Sequence, residues 1–426
     1  MNMVRKNLLN SLFYIQKPSL LRLKKGDMLR AILDHAKNNV VYYSGLYVNP
    51  NELNDKDLFD CLEEMPLLTK DIINKKIDDL QASKMSLGSY WNTSGGSTGR
   101  PIMIKQDYRY LACSRHITHE QKRLVGFNWG DRFIKIWGDD REIFTGKHSI
   151  RENFVFYLKN MTLINSFQMS NQKKIAALNE IKSSSPQLIV SYVQSIYDLA
   201  CFAEDNSISG FSVGAIIVSA GTLYPFMRNK IEGVFGAQVF NRYGSREVGN
   251  ISISTPNEPA MKISKGVWVE VVDSKGQVLP DGVEGEIVVT SLINYSMPLI
   301  RYRIGDRGVL GVRTDPKGNS YKVLENVTGR SVDLFTTENG DKVDGEYFTH
   351  LIYFKNWINR FQFIQKDLNS ILVRLELKDS APDSDLKEIE KKIKAVMGDK
   401  CQVKYEFVSK IIDPPSGKFR FTISEI

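Results

Sequence analysis

The stretch Trp91-Asn92-Thr93-Ser94-Gly95-Gly96-Ser97-Thr98-Gly99-Arg100-Pro101 holds the densest set of anion-binding groups in the chain. Three glycines and four hydroxyl residues fall within seven of its positions, and a proline closes the run. Glycines turn through positive φ and let a ligand come close to the main chain. Successive exposed N–H groups in such a turn form a concavity for anions, and hydroxyls add donors. This composition suits a phosphate cradle; it also makes an ordinary surface loop. Two familiar phosphate motifs are excluded. Gly99 is followed by Arg100-Pro101, where a P-loop needs lysine and then serine or threonine. The G-x-G-x-x-G spacing of dinucleotide-binding turns is absent.

The elements around this stretch alternate. Residues 20–87 read as mainly helical, with Leu29, Ile32, Leu33 and Ala36 at helical spacing and a short amphipathic piece from Asn51 to Leu62. Asp107 to Leu124 reads as a helix on which His116 and His119 share a face. No further metal ligands fall nearby, so these histidines read as structural or substrate-pocket groups. Asp131–Trp137, Leu188–Tyr192, Val213–Val218 and Gln238–Tyr243 read as strands. Between them, Asn171–Ser183, Gln194–Glu204 and Met227–Phe235 read as helices. The first takes Asn171 as its N-cap and turns Ile175, Leu178 and Ile181 inward. Such alternation predicts an α/β core with largely parallel pairing. Ligands of such sheets gather at the carboxyl ends of strands, where Gly221 and Tyr243-Gly244 fall.

From Gly266 onward Val267–Val272, Gly285–Leu292 and Leu299–Tyr302 read as a β-rich subdomain, with a boundary near Gly329-Arg330. The last hundred residues form a small α+β unit. Its strands are Arg360–Ile364, Ile371–Leu377 and Gln402–Phe407, and its helix Asp385–Met397 turns Leu386, Ile389, Ile393 and Val396 inward before Gly398. The fold class expected is therefore α/β: a large N-terminal α/β domain, 1–328, with a β-rich subdomain, and a small mobile C-terminal α+β domain, 329–426.

Composition narrows the classes of function. A hydrophobic fraction of 42% and a charged fraction of 25% are ordinary for a soluble globular chain of 426 residues. The net charge of +8 invites a nucleic-acid reading, but lysines and arginines are scattered among acids. A nucleic-acid binder concentrates its charge on one face or helix and interleaves aromatics. The four cysteines are far apart and form no C-x-x-C pair, which speaks against zinc and for a reducing compartment. Met1 to Leu23 is basic and partly apolar without a continuous apolar run, and reads as a strap or helix, not a signal peptide. No stretch approaches the roughly 18 apolar residues of a bilayer span. A cytoplasmic protein without an integral membrane segment is expected, with peripheral contact through the basic N-terminus as an alternative.

Five patches, taken in order, resemble the adenylate-forming (acyl-CoA synthetase-like) superfamily. Ser94, Gly95, Gly96, Ser97, Thr98, Gly99 and Pro101 match its phosphate loop T-S-G-S-T-G-x-P, with Gly95 standing where serine is usual. Tyr243-Gly244-Ser245-Arg246-Glu247 matches Y-G-x-T-E, with Arg246 in place of the hydroxyl residue. Tyr302-Arg303-Ile304-Gly305-Asp306 matches Y-R-T-G-D, and Gly329-Arg330-Ser331-Val332-Asp333 resembles the hinge motif, with Val332 where a charge is usual. Gly417-Lys418 lies in a segment like the one that carries the family's catalytic lysine. The resemblance runs from about residue 28 to the end and looks most like the phenylacetate–CoA ligase branch, which includes relatives from capsular-polysaccharide clusters.

It implies ATP and Mg²⁺ as cofactors and a carboxylic acid as substrate. Tyr243 would stack on adenine, with Gly221, Gly244, Ser245 and Arg246 also at the nucleotide. Glu247 would hold the metal, since Mg²⁺ takes one or two carboxylates plus phosphates and waters. Asp306 would accept the ribose hydroxyls, Arg330 would contact ribose or phosphate, and Lys418 would be catalytic. The acyl acceptor would be coenzyme A or an amine or hydroxyl, the latter in polysaccharide biosynthesis. A catalytically impaired nucleotide-binding homologue is the competing class. Pocket residues are expected from Trp137-Gly138, Tyr192–Ser195 and Ser219–Thr222; no arginine for a second carboxylate stands out. Replacing both Ser97 and Thr98 by alanine is expected to weaken ATP binding by about 1.5–3 kcal/mol per lost bond without unfolding the chain. Unchanged nucleotide affinity by calorimetry would sink the cradle reading.

Overall fold

A computed structural model describes residues 17–45, 49–83, 88–93, 102–137, 150–166, 171–256, 258–315, 317–329, 334–340, 342–352, 355, 357–411 and 421–426. The chain divides into two compact units. The larger holds the described residues of Met1–Ser94, Ile102–Ile304 and Val309–Asn326; the smaller holds those of Gly305–Gly308 and Val327–Ile426.

The larger unit opens with helices α1 (Lys25–Asn39), α2 (Asp55–Glu64) and α3 (Lys70–Lys75). Asn54 and Thr69 cap the last two by accepting backbone N–H bonds from Asp57 and Ile72. Strands β1 (Tyr90–Thr93) and β2 (Met103–Gln106) form an antiparallel pair. Helix α4 (Tyr108–Leu124) follows at once. Its cap Asp107 is buried, accepting from Tyr110 N at 2.8 Å and from Ser296 Oγ at 3.0 Å.

The α/β core then runs β3 (Phe133–Trp137), α5 (Ile150–Leu158), β4 (Met161–Asn165), α6 (Asn171–Ser184), β5 (Leu188–Tyr192), α7 (Val193–Asp205), β6 (Ala215–Ser219), α8 (Pro225–Phe235) and β7 (Gln238–Ser245). The first four residues of β5 and of β6 are buried, as expected for short apolar runs covered on both faces. Strands β3 to β7 pair in parallel in the order β4-β3-β5-β6-β7.

Pairing then reverses without a break in the sheet. Strands β8 (Gly249–Thr255), β9 (Glu258–Ile263), β10 (Val267–Val272), β11 (Glu284–Ser291), β12 (Tyr302–Thr314) and β13 (Ser320–Gly329) extend it to eleven strands, in the order β10-β11-β12-β13-β9-β8-β7. The expected β-rich subdomain is thus continuous with the α/β core.

Several expected details differ. Leu299 is not in a strand; β12 begins at Tyr302, because Pro298 and the positive φ of Arg301 (47°) bend the chain before it. Asn171 is the first helical residue of α6, and Ile175 is 45% exposed; the buried stripe is Ala177, Leu178 and Ile181.

The smaller unit contains a hairpin of β14 (Leu334–Thr336) and β15 (Lys342–Asp344), then α9 (Gly345–Ile352). A four-stranded sheet follows, made of β16 (Ile358–Asp367), β17 (Ser370–Leu377), β18 (Gln402–Val408) and β19 (Thr422–Ser424) in the order β18-β17-β16-β19, with α10 (Asp383–Met397) between β17 and β18. Helix α10 buries Ile389, Ile393 and Met397, so the buried stripe at its end passes through Met397 instead of Val396. Phe348 packs against Phe335 and Phe363 at ring separations of 4.5 and 5.4 Å. Buried Gln365 reaches across to β14, accepting from Thr336 N at 2.8 Å and donating to Thr336 O at 2.6 Å.

In the larger unit a single guanidinium joins four segments. Arg301 is 2% exposed and donates from Nε to Glu270 Oε1 (3.0 Å), from Nη1 to Met65 O (2.7 Å) and Glu63 O, and from Nη2 to Gly276 O (2.9 Å). Burial pushes the Glu270 carboxyl up to about 7, against the pull of Arg301. Breaking such a pair strands a charge in the interior. Arg301→Leu is expected to cost about 3–5 kcal/mol in urea unfolding, with part recovered when Glu270→Leu is added. A loss below about 1 kcal/mol would show that the pair behaves as a solvated one.

Candidate active site

Strand β7 is where the sheet changes character, parallel to β6 on one edge and antiparallel to β8 on the other. Alternation sends Phe240 and Arg242 to the face covered by the end of α4, where Phe240 packs in a core cluster with Val125, Phe127 and Phe133. Asn241 and Tyr243 therefore point to the opposite face. The register shifts between Tyr243 and Gly244, a bulge that breaks the ladder. A Cβ on Gly244 would sit 2.6 Å from Gly249 O and 3.1 Å from Asn250 Cα, so only glycine lets the strands approach here.

Ser245, Arg246 and Glu247 form the turn into β8. Ser245 Oγ accepts from Val248 N at 3.4 Å, Arg246 is exposed, and Glu247 is 6% exposed. Two amides grip the turn: Gln106 Nε2 donates to Arg246 O at 3.2 Å and Asn92 Nδ2 does so at 3.4 Å. Asn92 and Gln106 lie on β1 and β2, also joined to each other at 3.2 Å. The chain between those strands is the glycine-rich stretch, so both strands that flank it are tied to the turn that presents Glu247. Tyr110 of α4 bonds Gln106 and Ser114, and its phenol is pushed up by burial, then by Tyr90 and Glu247. These amide tethers carry no signal in the sequence, because they join residues far apart along the chain.

At the end of β6, Ser219 Oγ donates to Arg242 O at 2.9 Å. Ala220 follows at φ +55°, a left-handed conformation uncommon for a residue with a Cβ, and Gly221 completes the turn. Trp137 and Tyr192, at the ends of β3 and β5, pack at a 33° tilt with ring centroids 4.0 Å apart, and Tyr192 pairs with Ser219. The fold thus gathers Trp137, Tyr192, Ser219, Gly221 and the Tyr243–Glu247 segment at the carboxyl ends of neighbouring strands. His116 is buried, with Nε2 3.3 Å from Glu120, and His119 packs on Trp129 at 5.2 Å. Asp306 lies half-buried in β12 after Gly305, which has a φ of +96°. Ser94 to Gly99, Arg330, Val332 and Lys418 lie outside the described residues. Among the described residues no three His, Cys, Asp or Glu side chains are grouped to hold a metal ion, and no helix is long and apolar enough to cross a membrane.

Residues 335–425 match the CapK C-terminal domain family. The chain is 27% identical over 402 residues to Protein CapK of Staphylococcus aureus, covering 92% of this chain and 87% of that protein. It is 26% identical over 326 residues to a phenylacetate–coenzyme A ligase of Aromatoleum evansii, covering 74% and 71%. The crystal structure of 2-hydroxyisobutyryl-CoA ligase in its postadenylation state superposes with a TM-score of 0.62 at 17% identity, covering 94% of this chain and 89% of that one. The two units, the mixed sheet and the ordered motifs are those of an adenylate-forming acid ligase. Within that class the chain is similar to CapK and to the phenylacetate–coenzyme A ligases.

Gly244→Ala is expected to force β7 and β8 apart at the bulge and cost about 1–3 kcal/mol. Thermal and urea unfolding measure it, and a variant as stable as the parent would show that the close approach relaxes freely.

Proposed function

We propose that the chain activates a carboxylic acid with ATP and magnesium and passes the acyl group to coenzyme A or to another nucleophile. The observation that carries this reading is the pair of hydrogen bonds that the side-chain amides of Asn92 and Gln106 donate to the carbonyl of Arg246. They hold the strands that flank a hydroxyl- and glycine-rich stretch to the turn of a buried carboxylate, which suits a stretch that binds phosphates and a turn that binds their counter-ion. The oxygen donor of Glu247 fits a hard cation, and magnesium bound there would offset charge on the phosphates.

In the first step a carboxylate oxygen of the acid forms a bond to the α-phosphorus. The bond from that phosphorus to the bridging oxygen breaks, and pyrophosphate leaves with the electron pair. Both reactants are anions, so the protein's contribution is alignment and charge neutralisation. Ser97 and Thr98 would donate to the leaving phosphates and Tyr243 would stack on adenine. Asp306 and Arg330 would hold the ribose side, and the Lys418 ammonium would sit against the oxygens where negative charge develops. In the second step a thiolate, amine or hydroxyl attacks the acyl carbon and AMP departs. The phenylacetate–coenzyme A ligases suggest coenzyme A as the acceptor, with an amine or hydroxyl on a polysaccharide precursor as the alternative.

The test separates the two steps. Wild-type chain is expected to release pyrophosphate from ATP with a member of a carboxylic-acid panel. Lys418→Ala should lower that release about 10²–10³-fold, while transfer from a supplied acyl-adenylate largely survives and ATP affinity changes little. Equal loss in both steps would remove Lys418 from a step-specific role, and no release with any acid would sink the adenylation reading.

A further inference from the structure

The turn that presents Glu247 is held from outside the main sheet. The carbonyl of Arg246 accepts from Gln106 Nε2 at 3.2 Å and from Asn92 Nδ2 at 3.4 Å. That carbonyl belongs to the peptide joining Arg246 to Glu247, and a peptide unit is planar. Two donors on its oxygen therefore fix the tilt of the plane, and with it the direction in which Glu247 leaves the chain. Water can satisfy a carbonyl on an exposed turn. Here the partner is instead an amide only 1% exposed, and burying an amide is unfavourable unless both of its ends are bonded. Gln106 meets that condition, since its Oε1 accepts from Asn92 Nδ2 at 3.2 Å while its Nε2 serves the turn.

Asn92 serves the glycine-rich stretch as well as the turn. Its Oδ1 accepts from Thr93 N at 2.9 Å, so one side chain bonds both the backbone next to Ser94 and the peptide next to Glu247. The hairpin register sets Tyr90 opposite Gln106 and Asn92 opposite Ile104, which places Asn92 and Gln106 diagonally on one face. The far end of the turn meets α4. Gly249, the first residue of β8, has a φ of +80°, and a Cβ there would sit 3.0 Å from Tyr110 Oη. Tyr110 is buried and bonds Gln106 in its turn. Gln106 is thus common to both supports of the turn.

We propose that Gln106 and Asn92 are positioning residues that couple the two halves of the nucleotide site. They set the Glu247 carboxylate at a fixed offset from the phosphate-binding stretch, so that cation and phosphates bind as one unit. This rests on the reading of Glu247 as the metal ligand and of the stretch as the phosphate cradle. Both amides act through the turn and not on the reacting atoms. Magnesium holds its ligands in near-ideal octahedral geometry, so a carboxylate and phosphates that share it tolerate little error in their separation. Loss of such an outer partner typically lowers metal affinity about 10–100-fold. By reciprocity the same loss appears as weaker stimulation of ATP binding by the metal.

The test is calorimetry of ATP binding in saturating Mg²⁺ and in EDTA, where the ratio of the two affinities reads the contribution of the metal. Gln106→Met keeps the length of the side chain and removes its hydrogen bonds. It is expected to lower the ratio about tenfold or more, towards that of Glu247→Gln. The same substitution in a Glu247→Gln background should lower it no further. AMP affinity should stay as in the wild type. Asn92→Ala, at a half-buried position, should shift the ratio the same way by less, and it decides the matter if Gln106→Met does not fold. A merely structural role would weaken ATP equally in both media and weaken AMP with it. That outcome, an unchanged ratio in the folded variants, additive losses with Glu247→Gln, or a wild-type ratio of one overturns the proposal. The expected fall in ratio, with no pyrophosphate exchange for any carboxylic acid, upholds the coupling and sinks the adenylation reading instead. Exchange in the wild type with an unchanged ratio in the variants sinks the coupling and leaves adenylation standing.

Discussion

Everything near the strand ends depends on one change of pairing. Strand β7 bonds in parallel to β6 and in antiparallel to β8, and the two ladders need different backbone geometry. The bulge after Tyr243 absorbs the mismatch, and glycine at 244 is the residue that lets β8 pass within contact of it. With the bulge in place, the chain leaves β7 in a tight turn and brings Glu247 into a buried position. Without it, the turn and the carboxylate it presents would have no fixed place to stand.

That turn in turn organises its neighbours. The carbonyl of Arg246 is an acceptor that the sheet leaves over, and Asn92 and Gln106 satisfy it from a separate two-stranded element. The same Gln106 bonds Tyr110 at the start of α4, whose cap Asp107 is held by Ser296. A chain of polar contacts therefore runs from β7 through the hairpin to α4. Buried networks of this sort are rigid when every member is satisfied. Arg301 performs a comparable task for the end of α2, β10 and the loop at Gly276.

Much of this architecture is legible in the sequence, and what is not has a physical reason. Strands β5 and β6 stand out because short runs with four apolar residues in five, bounded by turn signals, fit little else. Helix α4 and the small unit's β17, α10 and β18 are as clear, with boundaries displaced by a residue or two. Strand β4 is harder: every residue in it is half-buried, an edge strand without the alternation that would mark it. Ile175 fits the helical period and is still exposed, since period alone does not say where the covering sheet ends. At the site, the Tyr243–Glu247 segment is visible as a motif, because its residues are adjacent. The hydrogen bonds of Asn92 and Gln106 to the Arg246 carbonyl are not, because they join residues far apart along the chain.

The alternation along β7 has a consequence for how such enzymes diverge. Arg242 and Tyr243 share a peptide bond yet serve opposite faces of one sheet. A codon change at 242 can therefore alter the packing on one face while the neighbouring ring keeps its place on the other.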